Sequence, residues 1–164
     1  IAVSFAACSS NNNSPKKETN TNSQDADVLQ KSNDETFGLN DTAVFENLKI
    51  TAVKLEESAG KEYFYAEDGK IFVGVKFEIE NISDKPQNIS SLLLFDAYAD
   101  DVKCEYSLSA NVAFDEGALD GEISPGKKLV GWYAVEVPKE WTQLELEVKA
   151  EWLSDSKAKF VFKK

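Results

Sequence analysis

The chain has 164 residues, of which 42% are hydrophobic and 29% charged, and its 18 basic and 29 acidic side chains give a net charge of -11. This charge has the wrong sign for a surface that neutralises phosphates or anionic lipids, which argues against nucleic acid as a partner and against membrane attachment by electrostatics alone. Histidine is absent, which removes the commonest general base, the commonest zinc ligand and every serine–histidine or cysteine–histidine nucleophilic pair.

The chain begins with IAVSFAAC and becomes wholly polar directly after Cys8. The apolar residues 1–7 are too few to span a bilayer and are typical of the end of a signal peptide, and the lack of methionine predicts that the translated product begins further upstream. Ala6, Ala7 and Cys8 resemble the lipobox of bacterial lipoproteins. The resemblance implies that the Cys8 thiol carries a diacylglyceryl group, which would anchor the protein in a membrane. The alternative is an ordinary first strand with a buried free cysteine.

Residues 9–36 are rich in Asn, Ser, Thr and charged residues and contain almost no large apolar side chains. Such a segment cannot repay the conformational entropy that is lost on ordering. Residues 8–36, from the lipidated cysteine onward, are therefore predicted to form a disordered linker with an end-to-end distance on the order of 30 Å.

From residue 37 onward the hydrophobic residues recur with a period of two. KIFVGVKFEIEN (70–81) and LELEVKAEWL (144–153) alternate apolar and polar residues, which indicates strands with one buried face. Further strands are predicted at 42–45, 48–57, 90–98, 127–137 and 159–162, whereas 106–120 is predicted to be a long crossing loop or to carry a short helix. About seven short strands predict an all-β, immunoglobulin-like antiparallel β-sandwich over residues 37–164.

Three blocks of sequence carry a resemblance to a known family. They are FGLNDTAVFENLKITAVKL, YFYAEDGKIFVGVKFEIENISDKPQNIS and GEISPGKKLVGWYAVEVPKEWTQLELEV, of which EIENISDKP and ISPGKKLVGWYAVEVP are the most specific pieces. They resemble a large family of bacterial lipoprotein domains of unknown function with a telokin-like, immunoglobulin-related fold. The resemblance implies a fold and a location, but no reaction, because the family has none assigned.

Acidic residues are concentrated near the ends of predicted strands, at Asp96, Asp100, Asp101 and Glu105, and again at 115–122. If these groups came together, their oxygens would suit calcium. Their spacing matches no EF-hand loop, and solvated loop carboxylates are ordinary in so acidic a chain, so no metal or other cofactor is predicted. Paired carboxylates could also serve glycoside hydrolysis, but the sequence does not supply their separation, and no residue is assigned a catalytic role.

Aromatic residues are the other candidates for a site. Tyr63, Phe64 and Tyr65 precede the strand at 70–81, and Trp132 lies on the opposite face of its strand from Tyr133. If Tyr63, Tyr65 and Trp132 were exposed together, they would form a flat patch suited to binding a glycan or a peptide. The alternative is that they fill the core of the sandwich.

Cys104 and Trp141 are the two remaining residues for which the sequence gives a specific expectation. Cys104 has no partner if Cys8 is acylated, and the neighbouring carboxylates of Asp101 and Glu105 would raise its pKa, which predicts an inert thiol. Trp141 follows a turn and is predicted to close one end of the sandwich.

These patterns predict an exported, lipid-anchored and non-catalytic binding or accessory module on the extracytoplasmic face of the bacterial cell membrane. Its partners would be the membrane, through the lipid on Cys8, and an envelope protein, peptide or glycan that meets a sheet edge or an end loop. A calcium- or small-solute-binding sandwich and an envelope carbohydrate hydrolase are the alternatives.

Overall fold

The computed structural model describes residues 15–18, 35–115, 117–151 and 156–164. Cys8, the predicted signal-peptide remnant, most of the predicted linker and Trp152 lie outside the described residues. The described part contains strands β1 (Lys16–Glu18), β2 (Thr36–Phe37), β3 (Thr42–Val44), β4 (Leu48–Ser58), β5 (Gly60–Lys61), β6 (Phe64–Tyr65), β7 (Lys70–Asn81), β8 (Gln87–Ser90), β9 (Phe95–Ala99), β10 (Val102–Cys104), β11 (Asp120–Ile123), β12 (Lys128–Pro138), β13 (Gln143–Lys149) and β14 (Lys157–Lys163), with helices α1 (Ser91–Leu94) and α2 (Leu108–Val112).

Two five-stranded sheets pack face to face. Sheet A has the order β1-β3-β4-β7-β12 and sheet B the order β10-β9-β13-β14-β2. All neighbours in both sheets are antiparallel except β2 and β14, which are parallel. This arrangement confirms the predicted all-β antiparallel β-sandwich. The strands beyond the predicted seven are two to four residues long, too short to show a period of two.

The main core lies between the sheets and follows the predicted alternation. Val73, Val75, Phe77 and Ile79 of β7 are fully buried in it, whereas the charged residues between them point outward. The Phe77 ring lies 5.3 Å, centroid to centroid, from a sheet B aromatic, Phe160, in an edge-to-face arrangement. Contacts of this kind join the two sheets.

Trp141 is 2% exposed and lies at one end of the core, as predicted. Its indole N–H donates to Glu57 Oε1 at 2.6 Å, at the end of β4, and the Lys164 ammonium lies 5.5 Å from the ring centroid. Hydrogen bonds from Lys164, and secondarily from Trp141, lower the pKa of Glu57, although partial burial of the carboxylate opposes them.

The segment 90–98, predicted as one strand, contains the last residue of β8, the helical turn α1 and the first four residues of β9. At this turn the chain passes from a pairing with β11 to sheet B. Ser91 fixes the turn, because its N–H and hydroxyl both bond to the Asp120 carboxylate, at 2.9 and 3.0 Å. The prediction was wrong here because the apolar run SLLLF fits a buried strand and a helical turn equally well.

The segment 106–120 carries a short helix, α2, in agreement with one of the two predicted possibilities. The Ser107 hydroxyl caps it by accepting a bond from the N–H of Ala110 at 3.1 Å. The helix lies on the outer face of sheet A and covers a second, smaller core of Phe72, Ala110, Ala113, Phe114, Trp132 and Ala134. Among the described residues, no helix is long and apolar enough to cross a bilayer.

Part of the predicted linker is paired with the domain, at Lys16–Glu18 and at Thr36. Strand β1 extends sheet A antiparallel to β3, with Lys17 opposite Ala43. The Lys17 ammonium lies 2.6 Å from Asp41 Oδ2, donates to Thr36 O at 3.1 Å and lies 5.7 Å from the Phe37 ring centroid. The prediction of a linker without structure therefore does not hold at Lys16–Glu18 or at Thr36, because composition measures apolar burial and takes no account of backbone pairing at a sheet edge.

Candidate functional site

An aromatic hairpin, residues 60–65, projects from the domain. Strands β5 and β6 pair Gly60 with Tyr65, and Tyr63 at the tip is 93% and Tyr65 65% exposed. The tight turn requires Gly60, which has φ 126°, because a Cβ there would lie 2.2 Å from the carbonyl oxygen of Phe64. The Lys61 ammonium is paired with Asp115 at 2.5 Å, beyond the end of α2. Two of the predicted binding aromatics, Tyr63 and Tyr65, are thus presented to solvent.

Helix α2 lies beside the hairpin, with its backbone close to β5 and β6. Leu108 is 71% exposed and Val112 is also exposed, and we call Tyr63, Phe64, Tyr65, Leu108 and Val112 together the apolar surface. Asn111 fixes the helix from below: its side-chain oxygen accepts from the N–H of Ala134 at 3.2 Å and its side-chain nitrogen donates to Ser107 O at 2.8 Å. The apolar surface therefore lies on a well-packed base.

Trp132 does not belong to this surface. It is 4% exposed and its ring stacks on Phe114 at 4.8 Å between centroids. Of the two possibilities given for Trp132, the structure shows burial in a core, so Trp132 does not join Tyr63 and Tyr65 in an exposed patch. The predicted strand face is correct, since Trp132 lies on the opposite face from the buried Tyr133, but α2 and Phe114 cover that face.

A cleft of about 620 Å³ runs beside strand β10, and we call it the β10 cleft. It is lined on the β10 side by Val102, Cys104, Tyr106 and Leu108, and on the facing side by Lys70, Glu136 and Pro138. Leu108 belongs to the apolar surface as well, so the cleft and that surface adjoin each other. No periodic pattern in the sequence indicates this cleft, because β10 has three residues and the opposite wall comes from the distant strands β7 and β12.

The β9–β10 hairpin is held firmly by one of the predicted acidic residues. Asp100 and Asp101 form its turn with φ values of 46° and 66°, typical of a two-residue type I′ turn. The Asp100 carboxylate accepts hydrogen bonds from the Thr142 hydroxyl and from the N–H groups of Thr142 and Gln143, at 2.5 to 3.1 Å. These hydrogen bonds lower the pKa of Asp100, and the bond from the Thr142 hydroxyl has the largest effect. Desolvation of the carboxylate opposes them.

The weak metal candidates Asp96, Asp100 and Asp101 thus have separate surroundings. Asp96 forms an ion pair with Lys103 at 2.7 Å, Asp100 caps the start of β13, and Asp101 is an exposed turn residue. In the part of the chain that the structure describes, no group of three or more Cys, Asp or Glu side chains is arranged to hold a metal ion. The structure does not bring these three carboxylates together as a ligand set.

Cys104 lines the β10 cleft with a half-buried side chain. Burial raises the pKa of its thiol, opposed by a backbone hydrogen bond from Ala99. The predicted direction of the shift is confirmed, but its cause is desolvation rather than the neighbouring carboxylates. A thiol with a raised pKa is a poor nucleophile at neutral pH.

The fold and the surface define an antiparallel β-sandwich domain with an exposed apolar surface and an adjoining cleft. Residues 37–159 match the family described as a domain of unknown function, DUF4352, and the chain belongs to this family.

One relative and two solved structures illustrate its similarities. The uncharacterized protein YxkC of Bacillus subtilis strain 168 is 28% identical over 118 residues, which are 65% of this chain and 66% of the relative, just under two thirds of its length. A candidate lipoprotein of Bacillus subtilis, ycdA, has a TM-score of 0.60 at 19% identity over 72% of this chain and 37% of its own. An uncharacterized β-sandwich protein of Clostridium difficile 630 has a TM-score of 0.51 at 18% identity, over 83% of this chain and 99% of its own. Both structural likenesses show the fold.

Proposed function

We propose that this protein is a lipid-anchored, non-catalytic module on the extracytoplasmic face of the bacterial cell membrane and that it binds an envelope protein through the apolar surface. The observation that carries the proposal is the exposure of Tyr63, Tyr65 and Leu108 on a packed base. Large apolar side chains that are exposed side by side are characteristic of interaction sites. Tyrosine is enriched in such sites because it offers a large contact area for the loss of only two side-chain torsions.

A protein partner fits this surface better than a glycan does. Sugars stack on the faces of aromatic rings, whereas Leu108 and Val112 contribute aliphatic contact that suits apolar side chains. The net charge of -11 also disfavours anionic envelope polymers, because like charges repel at long range.

The lipid anchor rests on the sequence around Cys8, and the similarity to a candidate lipoprotein agrees with it. The telokin-like relationship implied by the sequence blocks belongs to the same proposal. Cys8 and Lys16 are eight residue steps apart in the sequence, which span at most about 29 Å when fully extended. An anchor at Cys8 would therefore keep the β1 side of the sandwich near the lipid.

The topology supports an outward orientation of the proposed binding surface. Strands β1 and β2 form one flank of the sandwich, where Lys17 contacts Thr36 and Phe37. Strands β10 and β12 form the opposite flank. Each sheet has five strands, and at the usual spacing between neighbouring strands the first and last are about 19 Å apart. A chain tethered through β1 would thus present the apolar surface and the β10 cleft away from the bilayer.

The anchor is tested by substituting Cys8→Ala in the natural precursor. The unsubstituted protein should sediment with membranes and give a diacylglyceryl-modified N-terminal peptide in mass spectrometry, whereas Cys8→Ala should lose both properties. An unmodified Cys8 in membranes of the natural host would contradict the anchor.

The binding surface is tested by affinity capture from native membranes with the intact protein and with the double variant Tyr63→Ser/Tyr65→Ser. The matched control is Leu92→Ser, which removes a 60% exposed apolar side chain from α1, outside the apolar surface. We expect a protein that intact and Leu92→Ser chains retain and that the double variant loses at unchanged melting temperature. Identical captures by all three chains would overturn the proposed function, and retention of cell-wall glycan in place of protein would assign the surface to the other class of partner.

A further inference from the structure

We infer that the β10 cleft binds an extended peptide segment, which joins sheet B as an added strand along the free edge of β10. This inference deepens the proposed function and rests on it, since it assigns the segment to the partner that the apolar surface recognises. Three features carry it: the open edge of β10, the direction of the β10 side chains and the contrast with the covered edge of β12.

The open edge follows from the register of the β9–β10 hairpin. Strand β10 is the last strand of sheet B in the described residues. In a two-residue hairpin the pair that flanks the turn, here Ala99 and Val102, shares the narrow hydrogen bonds, and the next pair, Tyr98 and Lys103, does not bond across the strands. The N–H and carbonyl of Lys103 therefore point away from β9, toward a strand that would lie beside β10.

The side chains of an added strand would alternate into the cleft. Val102 and Cys104 share the core-facing side of β10 with their buried partners Ala99 and Ala97. Val102 is nevertheless exposed, because the cleft separates it from Pro138 on the facing wall. Every second side chain of an added strand would lie on the same side as Val102 and Cys104 and fill the cleft. The backbone hydrogen bonds would then supply affinity, and the cleft would supply specificity.

The β12 edge of sheet A is partly covered by another segment of the chain. Along β12, the N–H of Trp132 donates to Gly117 O at 2.9 Å and the N–H of Ala134 donates to the Asn111 side chain at 3.2 Å. At the opposite edge, β1 pairs with β3 and is itself the last strand of the sheet in the described residues. Proteins usually block sheet edges to prevent unwanted pairing, and the open edge at β10 contrasts with the covered edge of β12.

The chain itself shows that a three-residue strand can add to this fold. Strand β1 pairs with three residues of β3, and two ion pairs secure it, Lys17 with Asp41 and Glu18 with Lys49. The exposed carboxylates of Asp101 and Glu105 lie at the two ends of β10. By charge complementarity, the peptide should carry apolar residues at alternate positions and Lys or Arg beside them.

The test compares Lys103→Pro with Lys103→Ala in the full chain. Proline removes the outward-pointing N–H and is tolerated at sheet edges where the N–H faces solvent, whereas alanine keeps the N–H and loses only the side chain and its pair with Asp96. Both variants should keep the far-UV circular dichroism and melting behaviour of the parent. The probe is a displayed library of random peptides of about twelve residues, long enough for one strand.

We expect peptides with alternating apolar residues that bind the parent and Lys103→Ala alike, bind Lys103→Pro at least about tenfold more weakly, and slow amide exchange at Lys103. Equal binding to all three chains, or no enrichment over Lys103→Pro, would overturn strand addition. A parent dimer that Lys103→Pro converts to a monomer would assign the edge to a second copy and would also overturn the inference. Strand addition and the proposed function can fail separately. If strand addition fails but Tyr63→Ser/Tyr65→Ser still loses the captured protein, the proposed function stands. If the double variant captures that protein normally, the proposed function itself is wrong.

Discussion

Asn81, at the end of β7, is a fully buried polar residue whose substitution should destabilise the sandwich markedly. Its side-chain nitrogen donates to the carbonyls of Lys85 at 2.7 Å and Ile123 at 2.8 Å. Its side-chain oxygen accepts from the N–H and hydroxyl of Ser83, at 2.9 and 2.8 Å. One side chain thus ties the β7–β8 turn to the end of β11.

The change Asn81→Ala removes all four bonds. The Lys85 carbonyl keeps a bond from the Ser83 hydroxyl at 3.0 Å, but the buried carbonyl of Ile123 loses its side-chain donor. An unpaired buried acceptor costs about 1–3 kcal/mol and the net loss per further bond is about 1 kcal/mol, so we expect a loss near 3 kcal/mol. For a domain of roughly 130 residues the entropy of unfolding is about 270 cal/mol/K, which converts this loss to a fall in Tm of about 11 °C.

Thermal and urea unfolding, followed by circular dichroism, measure the effect. The urea midpoint should fall at constant m-value, because the native fold is retained. The matched control is Asn88→Ala, at an exposed position in the neighbouring strand β8, for which we expect a change within about 0.5 kcal/mol. Equal changes for the two variants would refute the reasoning, since they would mean that the buried network contributes nothing beyond the loss of an asparagine.

Three further substitutions and reactions test the packing. Gly74→Ala would place a methyl group 2.7 Å from the Phe114 ring and should cost about 1–3 kcal/mol, part of which Phe114→Leu should offset in the double variant; additive losses would contradict the contact. Trp141→Phe removes the bond to Glu57 and should raise the Glu57 pKa toward its ordinary value, as followed by NMR titration. Because the Glu57 pKa is lowered in the folded state, the ionised carboxylate stabilises the fold at pH values above its ordinary pKa. This stabilisation is lost as the pH falls through the lowered pKa. A Glu57 pKa that is the same in Trp141→Phe and in the parent would contradict the role of the Trp141 bond. In a chain without the other cysteine, the Cys104 thiol, whose pKa is raised, should react with iodoacetamide more slowly when folded than in urea, and equal rates would count against its burial.

The long strands could be predicted from the sequence because their environment repeats every two residues. In β13 buried and partly exposed residues alternate along the whole strand, and in β7 they alternate from Val75 to Asn81, so the pattern predicts these strands directly. The short strands could not be predicted in this way. Strand β1 is stabilised by the ion pair between Lys17 and Asp41 and by pairing with the edge of β3. Neither interaction can be read from the polar tract of 28 residues from 9 to 36.

The candidate site was predictable in part. Tyr63 and Tyr65 occupy a turn between strands, where exposure is common, and both are exposed. The burial of Trp132 could not be predicted in this way, because it depends on a segment about twenty residues earlier in the chain that covers the outer face of sheet A. The β10 cleft depended on which strands end as neighbours, which is a property of topology and not of local pattern.

The loop and helix at 105–118 connect the stability of sheet A to the proposed binding surface. The segment covers part of the β12 edge through Asn111 and Gly117 and presents Leu108 to solvent at the mouth of the cleft. A change beneath it should therefore alter binding without touching the surface. Gly131 offers such a position, because a Cβ there would lie 3.1 Å from the carbonyl oxygen of Gly117 and would push the backbone of this segment outward. The packing of the outer core on sheet A therefore also sets the shape of the proposed binding surface.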